Sequence, residues 1–597
     1  MSAVAVTLAI LLLWLVQGLG FVQGLFPALR RHSLLGWVVA IWFGLIANLV
    51  ILANVYYLFP GVAIGTVAWP LTLVLVLASA AIYLATPRAP LQIDPASAAV
   101  AIIAATATLL VLRPLLGNGE LGFYSSNNGE FANYAAIADV VQFHGASAAI
   151  GGPLGMVSRE AVVGLVAAVV AALSGKAALW VIQPLAAAAA AVAFASLGLL
   201  FRHAAARYRL GAAATAVLGL VYAWAVLSAA AQCFWTLSFV SQYFSVALFF
   251  GALVFGVEAS EAVDIPHWRK VIALGLVFAA LVCVYPEMAA PNLGMIGVFV
   301  VASADRTARS RLGALVSWLA AIAIAAVLVN YLGYQLVVAR GGIGGSGWNI
   351  FGPHRPVLGY LNSIAGFTNP FGGPTVRSEI WGGATAVLCT LAISNAALRA
   401  RTESTPGLRG LHVTGLALVA GVAALFWIVA RRGLGNNYIA TKVLLGFGGL
   451  GYLMIGLVLA RWMQWRRWLA VPAAAALVAI HVGLATPDLQ FTRLLHRASR
   501  DALFLESEGR YLRERLAGRT AYLTGTASYA IMGRFLIQDR DLFSAMHRWP
   551  DFLDPQLVPG QPMVVMGHGV APVFDARVAG PYQARWRGIA VALWDRP

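Results

Sequence analysis

Apolar residues run along this chain in long blocks, broken by short polar or basic connections, and only past residue 486 does a mixed pattern take over. A membrane-crossing helix needs about 20 consecutive apolar residues. Read this way, the chain predicts spans near 4–25, 34–57, 66–86, 97–116, 178–201, 211–230, 234–257, 270–286, 289–303, 311–335, 376–398, 412–430, 441–460 and 467–485. The block at 160–175 is too short to belong to that set. From 487 onward the pattern predicts an amphipathic helix over 500–518, then short buried strands at Thr520–Thr524, Pro562–Met566 and Arg587–Trp594.

Composition agrees with the pattern: 60% of residues are hydrophobic, 11% are charged, and the mean hydropathy is +0.81. The fold class is therefore an all-α polytopic membrane domain of about 14 transmembrane helices, residues 1–486, followed by a small extracytoplasmic α/β domain, residues 487–597. The first apolar run has no charged leader and no small-residue cleavage pattern, so it reads as a span. Cys233, Cys283 and Cys389 all fall in apolar runs and read as small core residues.

The charge of +17 changes the picture only through its distribution. Seventeen Lys/Arg fall in short loops of one side: Arg30-Arg31, Arg88, Arg202/Arg207/Arg209, Arg269-Lys270, Arg306/Arg309/Arg311, Arg399/Arg401/Arg409 and Arg461/Arg466/Arg467. The positive-inside rule makes that side the cytoplasm. This alternation holds only if 160–175 enters without crossing, as a half-buried or re-entrant helix covered by protein. Both termini then lie outside the cytoplasm, and the membrane reads as a bacterial inner membrane. The tail is nearly balanced, with 14 basic and 11 acidic residues. No aromatic-interleaved basic patch and no Gly-rich phosphate motif after a strand occurs, so nucleic acid is not an expected partner.

One segment stands apart: Phe123–His144, FYSSNNGEFANYAAIADVVQFH, within the extracytoplasmic loop 117–160. Carboxylates at a membrane surface give up hydration for little packing and so call for a reason. After it come a Gly-Gly-Pro turn at 151–153, a short apolar helix ending in Ser174-Gly175-Lys176, and a long span closing on Arg202-His203. This succession, over about residues 97–210, resembles the GT-C fold glycosyltransferases, polytopic enzymes that use polyprenyl-phosphate sugars. The remainder is similar only in architecture, with many spans and then a small extracytoplasmic domain. Two departures are visible: three extra spans precede the acidic loop, and Asn127-Asn128 stand before Glu130 where the family shows an Asp-Glu or Asp-x-Asp pattern.

The resemblance implies that Glu130 is the catalytic base, with a polyprenyl-phosphate-linked sugar as donor and a lipid, glycan or protein as acceptor. Sugar transfer to a hydroxyl asks for such a carboxylate, and for cations that hold the departing phosphate. One carboxylate is a poor divalent-metal site, so no cofactor is expected and a divalent metal, though open, has no support in the residues. The plain alternative makes Glu130 a surface carboxylate on a juxtamembrane helix capped by Asn127 or Asn128. Asp139, nine residues on, falls on the opposite side of a continuous helix and reads as a helix-face residue. Asn127, Asn128, Tyr134 and Asp139 complete the loop's substrate-binding candidates.

Arg431-Arg432, with Lys442 beyond, lie on the side where orientation disfavours positive charge. Arginine forks match phosphate oxygens, so these three are the donor-phosphate candidates; a snorkelling pair among lipid head groups is the equal alternative. Trp348, His354 and Arg355, in a Gly-rich loop over 336–377, suit a lid or a plain tether. Glu287, after Pro286 at a span end, is either a partner for those arginines and acceptor hydroxyls or a solvated helix-end carboxylate. His144, His203 and His354 show no metal-ligand spacing. Two rival functions stay open: a transporter or flippase of a lipid-linked glycan, which would carry charges within spans and internal repeats, and an envelope scaffold that docks through its tail.

Overall fold

A computed structural model of the chain describes residues 2–26, 33–87, 94–116, parts of 134–145, most of 161–329 apart from 228–239, then 376–432, 437–465 with Trp468, and four short strands beyond 521. The helices, in order, are α1 (Ala3–Leu25), α2 (Leu34–Leu58), α3 (Ile64–Ala85), α4 (Pro95–Leu116), α5 (Ala161–Ser174), α6 (Ala178–Arg207), α7 (Ala212–Leu227), α8 (Val240–Glu261), α9 (His267–Val284), α10 (Pro286–Ser303), α11 (Ala308–Leu328), α12 (Val376–Thr402), α13 (Pro406–Arg432) and α14 (Asn437–Trp465). Each expected span through 441–460 has its helix; the one at 467–485 lies outside the described residues. By length and composition, nine of the described helices suffice to cross a membrane. The chain is a multi-pass membrane protein.

Helices in lipid cannot rely on water to drive them together, so close backbone approach and shared polar contacts do the work. Between α1 and α2 a methyl group at Gly18 would collide with the Ala40 carbonyl, and one at Gly44 with the Trp14 carbonyl. Beside this crossing Asn48 Nδ2 donates to Gln17 Oε1 at 2.6 Å and to Gly44 O at 2.7 Å. On the other side of α1, Ser79 of α3 accepts from Gly20 N at 2.9 Å and donates to Val16 O at 2.7 Å. Phe26, Phe43 and Phe255 then join α1, α2 and α8, with ring centroids 4.9 to 5.8 Å apart. By contrast α3 and α11 turn Leu77, Leu84, Val316 and Val327 outward, as lipid-facing helices should.

The short block comes out as α5, 14 residues and so about 21 Å long against about 30 Å of hydrocarbon. Val162 through Val170 are buried, packed among α2, α3, α6 and α9. Over these residues the helix is shorter than a full crossing. Tyr285 breaks the chain between α9 and α10 (φ −151°, ψ 83°), with Pro286 as the first residue of α10. Proline fits there because the first turn has no intrahelical acceptor for its missing N–H.

In the tail, β1 (Tyr522–Gly525) pairs in parallel with β2 (Met563–Met566), and β2 and β3 (Gln583–Arg587) both pair antiparallel with β4 (Val591–Asp595), giving the order β1-β2-β4-β3. The expected final strand over 587–594 is in fact the junction of two: β3 ends at Arg587 and β4 begins at Val591. Gly588, in the three residues between them, is the signal that divides the run. The helix expected over 500–518 lies outside the described residues.

Candidate functional site

At one end of the bundle the basic loops converge on carboxylates and carbonyls. Asp94 caps α4 through Ser97 and pairs with Arg202 at 3.0 Å. Burial alone would raise its carboxyl, but the Ser97 hydrogen bonds and the Arg202 charge outweigh that and hold it below the usual aspartate range. His203, which sequence spacing leaves as a plain interface histidine, is mostly buried between Glu258 and Glu261, at 3.5 and 3.3 Å. Arg207 also pairs with Glu261. Lys270 donates to Ala259 O and Ala262 O, Arg269 to Leu25 O, Arg306 to Glu403 O, and Arg409 to Ala302 O. Tyr208 bonds His412 at 2.7 Å and lies under both Arg399 and Arg461. These contacts close helix ends and make the basic face a set of stitches, with Arg202 and His203 near the end of α6 among them.

The opposite end carries the candidates for chemistry. Tyr134 is buried, 2% exposed, and its hydroxyl is hydrogen-bonded to Ser241 Oγ in the first turn of α8. One turn on, Ser245 Oγ accepts from Asn292 Nδ2 of α10 at 2.7 Å. α14 joins the same group. A Cβ at Gly446 would lie 3.5 Å from Met288 Cε of α10 and 3.9 Å from Val246 Cγ2 of α8. Phe249 and Phe447 meet edge to face at 4.7 Å. α13 runs the other way: Gly410 near its start faces Ser303 and Phe299 of α10, and Gly415 faces Met454 of α14. Its last residues, Arg431 and Arg432, therefore end at the level where α8, α10 and α14 begin.

The fold thus gathers four elements that bear predicted site residues. They are the segment holding Tyr134, the first turn of α10 with Glu287, the end of α13 with Arg431 and Arg432, and the second turn of α14 with Lys442. The side chains of Glu287, Arg431, Arg432 and Lys442 are not among those described, and Asn127, Asn128, Glu130, Asp139, Trp348, His354 and Arg355 lie outside the described residues. Three helix N-termini, of α8, α10 and α14, open at this end, and their aligned peptide dipoles favour an anion. Among the described residues no group of three His, Cys, Asp or Glu is placed to hold a metal ion.

Sequence reasoning missed the polar row on α8. Ser241, Gln242 and Ser245 are all 2% exposed, inside what reads as an ordinary apolar span. Gln242 is the odd member: among the described residues neither Nε2 nor Oε1 has a hydrogen-bond partner. Leaving a buried polar group unsatisfied costs about 1–3 kcal/mol. The signal was legible as hydroxyls four residues apart with an amide between them.

No family model matches the chain, and no curated protein matches it. Among solved structures it is similar to ArnT from Cupriavidus metallidurans in the apo state, at 13% identity, covering 84% of this chain and 98% of that one with a TM-score of 0.43. At that identity and score the likeness is one of outline, and function is argued from the residues.

Proposed function

We propose that this protein is a membrane glycosyltransferase that moves a sugar from a polyprenyl-phosphate donor to an acceptor outside the cytoplasm, with inversion. One observation carries the reading: the Tyr134–Ser241 bond ties the acidic segment to the end of the bundle where α10, α13 and α14 bring Glu287, Arg431, Arg432 and Lys442. Glu130 precedes Tyr134 by four residues, a reach of about 14 Å at most. An acidic segment and a basic helix end are thus confined to one neighbourhood, beside three helix N-termini.

In the reaction, the acceptor hydroxyl attacks the anomeric carbon as its proton passes to the Glu130 carboxylate. The bond from that carbon to the phosphate oxygen breaks, and polyprenyl phosphate leaves with its charge held by Arg431, Arg432 and Lys442. Every residue in this scheme is the chain's own, with no metal or cofactor. The positive-inside rule places the stitched face in the cytoplasm, which puts the reaction and both termini outside it. Residues 1–486 form the membrane part, and 487–597 a separate extracytoplasmic domain. Against the transporter reading, every described charged side chain lies within two turns of a helix end, and the polar groups deeper in the spans are uncharged amides and hydroxyls.

Glu130→Gln tests the proposal, because it removes the proton acceptor at nearly constant size. Transfer from a polyprenyl-phosphate sugar by the purified variant should fall by about a hundredfold or more with the melting temperature unchanged. Near-normal transfer would exclude Glu130 as the base.

A further inference from the structure

α8 and α14 run the same way and touch along one seam, in register to within two residues: Val246 faces Gly446, Phe249 meets Phe447, and Phe250 faces Gly449. One helical turn back from Val246 and Gly446 stand Gln242 on α8 and Lys442 on α14. The buried amide that lacks partners among the described residues is therefore level with a residue assigned to the donor phosphate. It is flanked on its own helix by Ser241, engaged by Tyr134, and by Ser245, engaged by Asn292. Both neighbours are satisfied; the amide between them is not.

We propose that Gln242 is a donor-sugar-binding residue, whose amide grips hydroxyls of the sugar ring while Lys442 and the arginines hold the adjoining phosphate. The chemistry of the orphaned pair chooses the sugar over the phosphate. Phosphate oxygens only accept, so they would satisfy Nε2 and repel Oε1. A ring hydroxyl both donates and accepts, and neighbouring hydroxyls satisfy both ends of one amide. The cost of leaving the amide unpaired is recovered when the sugar binds, and a lipid phosphate without sugar does not recover it.

This inference rests on the glycosyltransferase reading, and its test separates the two. The full-length protein in nanodiscs is titrated with undecaprenyl phosphate and with undecaprenyl-phosphoryl glucose, mannose and arabinose, as wild type and as Gln242→Leu. Wild type should prefer at least one sugar lipid over the bare phosphate. The leucine form should lose that preference by tenfold or more, keep its affinity for undecaprenyl phosphate, and melt at the same or a higher temperature, since an unsatisfied polar group has been removed. An unchanged preference in the variant overturns the proposal. So does a parallel loss of both affinities with a lowered melting temperature, which makes the amide structural. If wild type binds none of the four lipids, the donor reading itself fails and Gln242 falls with it.

Discussion

Tyr134 illustrates how a single contact bears on where the proposed site lies. It stands four places beyond the carboxylate assigned as base, and the bond of its hydroxyl to Ser241 ties the segment to α8. The arginines at the end of α13 call for a sharper test, because position alone gives them a second purpose. Cations in the last turn of a helix complement its dipole, worth about 0.3–1 kcal/mol of stability, and lysine does this as well as arginine. A phosphate fork behaves otherwise. Arg431→Ala or Arg432→Ala should weaken undecaprenyl phosphate binding by about 1–3 kcal/mol, with only partial rescue by lysine, as measured by lipid titration. Full rescue by lysine at both positions, with unchanged affinity in the alanine forms, would leave the pair as a helix-end device.

Among the elements, the α1–α2 pair is the tightest test of packing. It depends on two glycines each facing a backbone carbonyl of the other helix, and a backbone cannot swing aside as a side chain can. Gly44→Val should therefore cost upwards of about 2 kcal/mol in thermal or denaturant melting. Gly219 of α7 is the control, with nothing within 4 Å of an added Cβ. There Gly219→Ala should stabilise by about 0.5–1 kcal/mol through helix propensity. Equal losses at both positions would mean that the close crossing contributes nothing special.

On the scale of the whole molecule, two ends of opposite character define the protein. One is knitted by ion pairs and carbonyl contacts among the basic loops; the other opens helix N-termini around polar side chains. Cysteine labelling reads the orientation directly, with the native cysteines replaced. Gly61→Cys and Lys176→Cys should react with an impermeant maleimide in intact cells, whereas Arg209→Cys and Arg309→Cys should need permeabilised cells. Labelling of Arg209→Cys from outside would invert the assignment and remove the reaction from the extracytoplasmic side.

The positions of the apolar helices and the shortness of α5 were legible in the sequence because each follows from a local quantity, the length of an apolar run. The Tyr285–Pro286 break was legible too, since proline disfavours helical backbone in the residue before it and fits the first turn of the helix it opens. What each polar residue does once inside the bundle was beyond the sequence. Arg202-His203 looks like part of a functional succession, and only the approach of Asp94 from before α4, and of Glu258 and Glu261 from the end of α8, makes it a stitch. Gln242 looks like one more residue of an apolar span. Its partners, or their lack, depend on where α10 and α14 come to rest, and contacts between distant segments decide that.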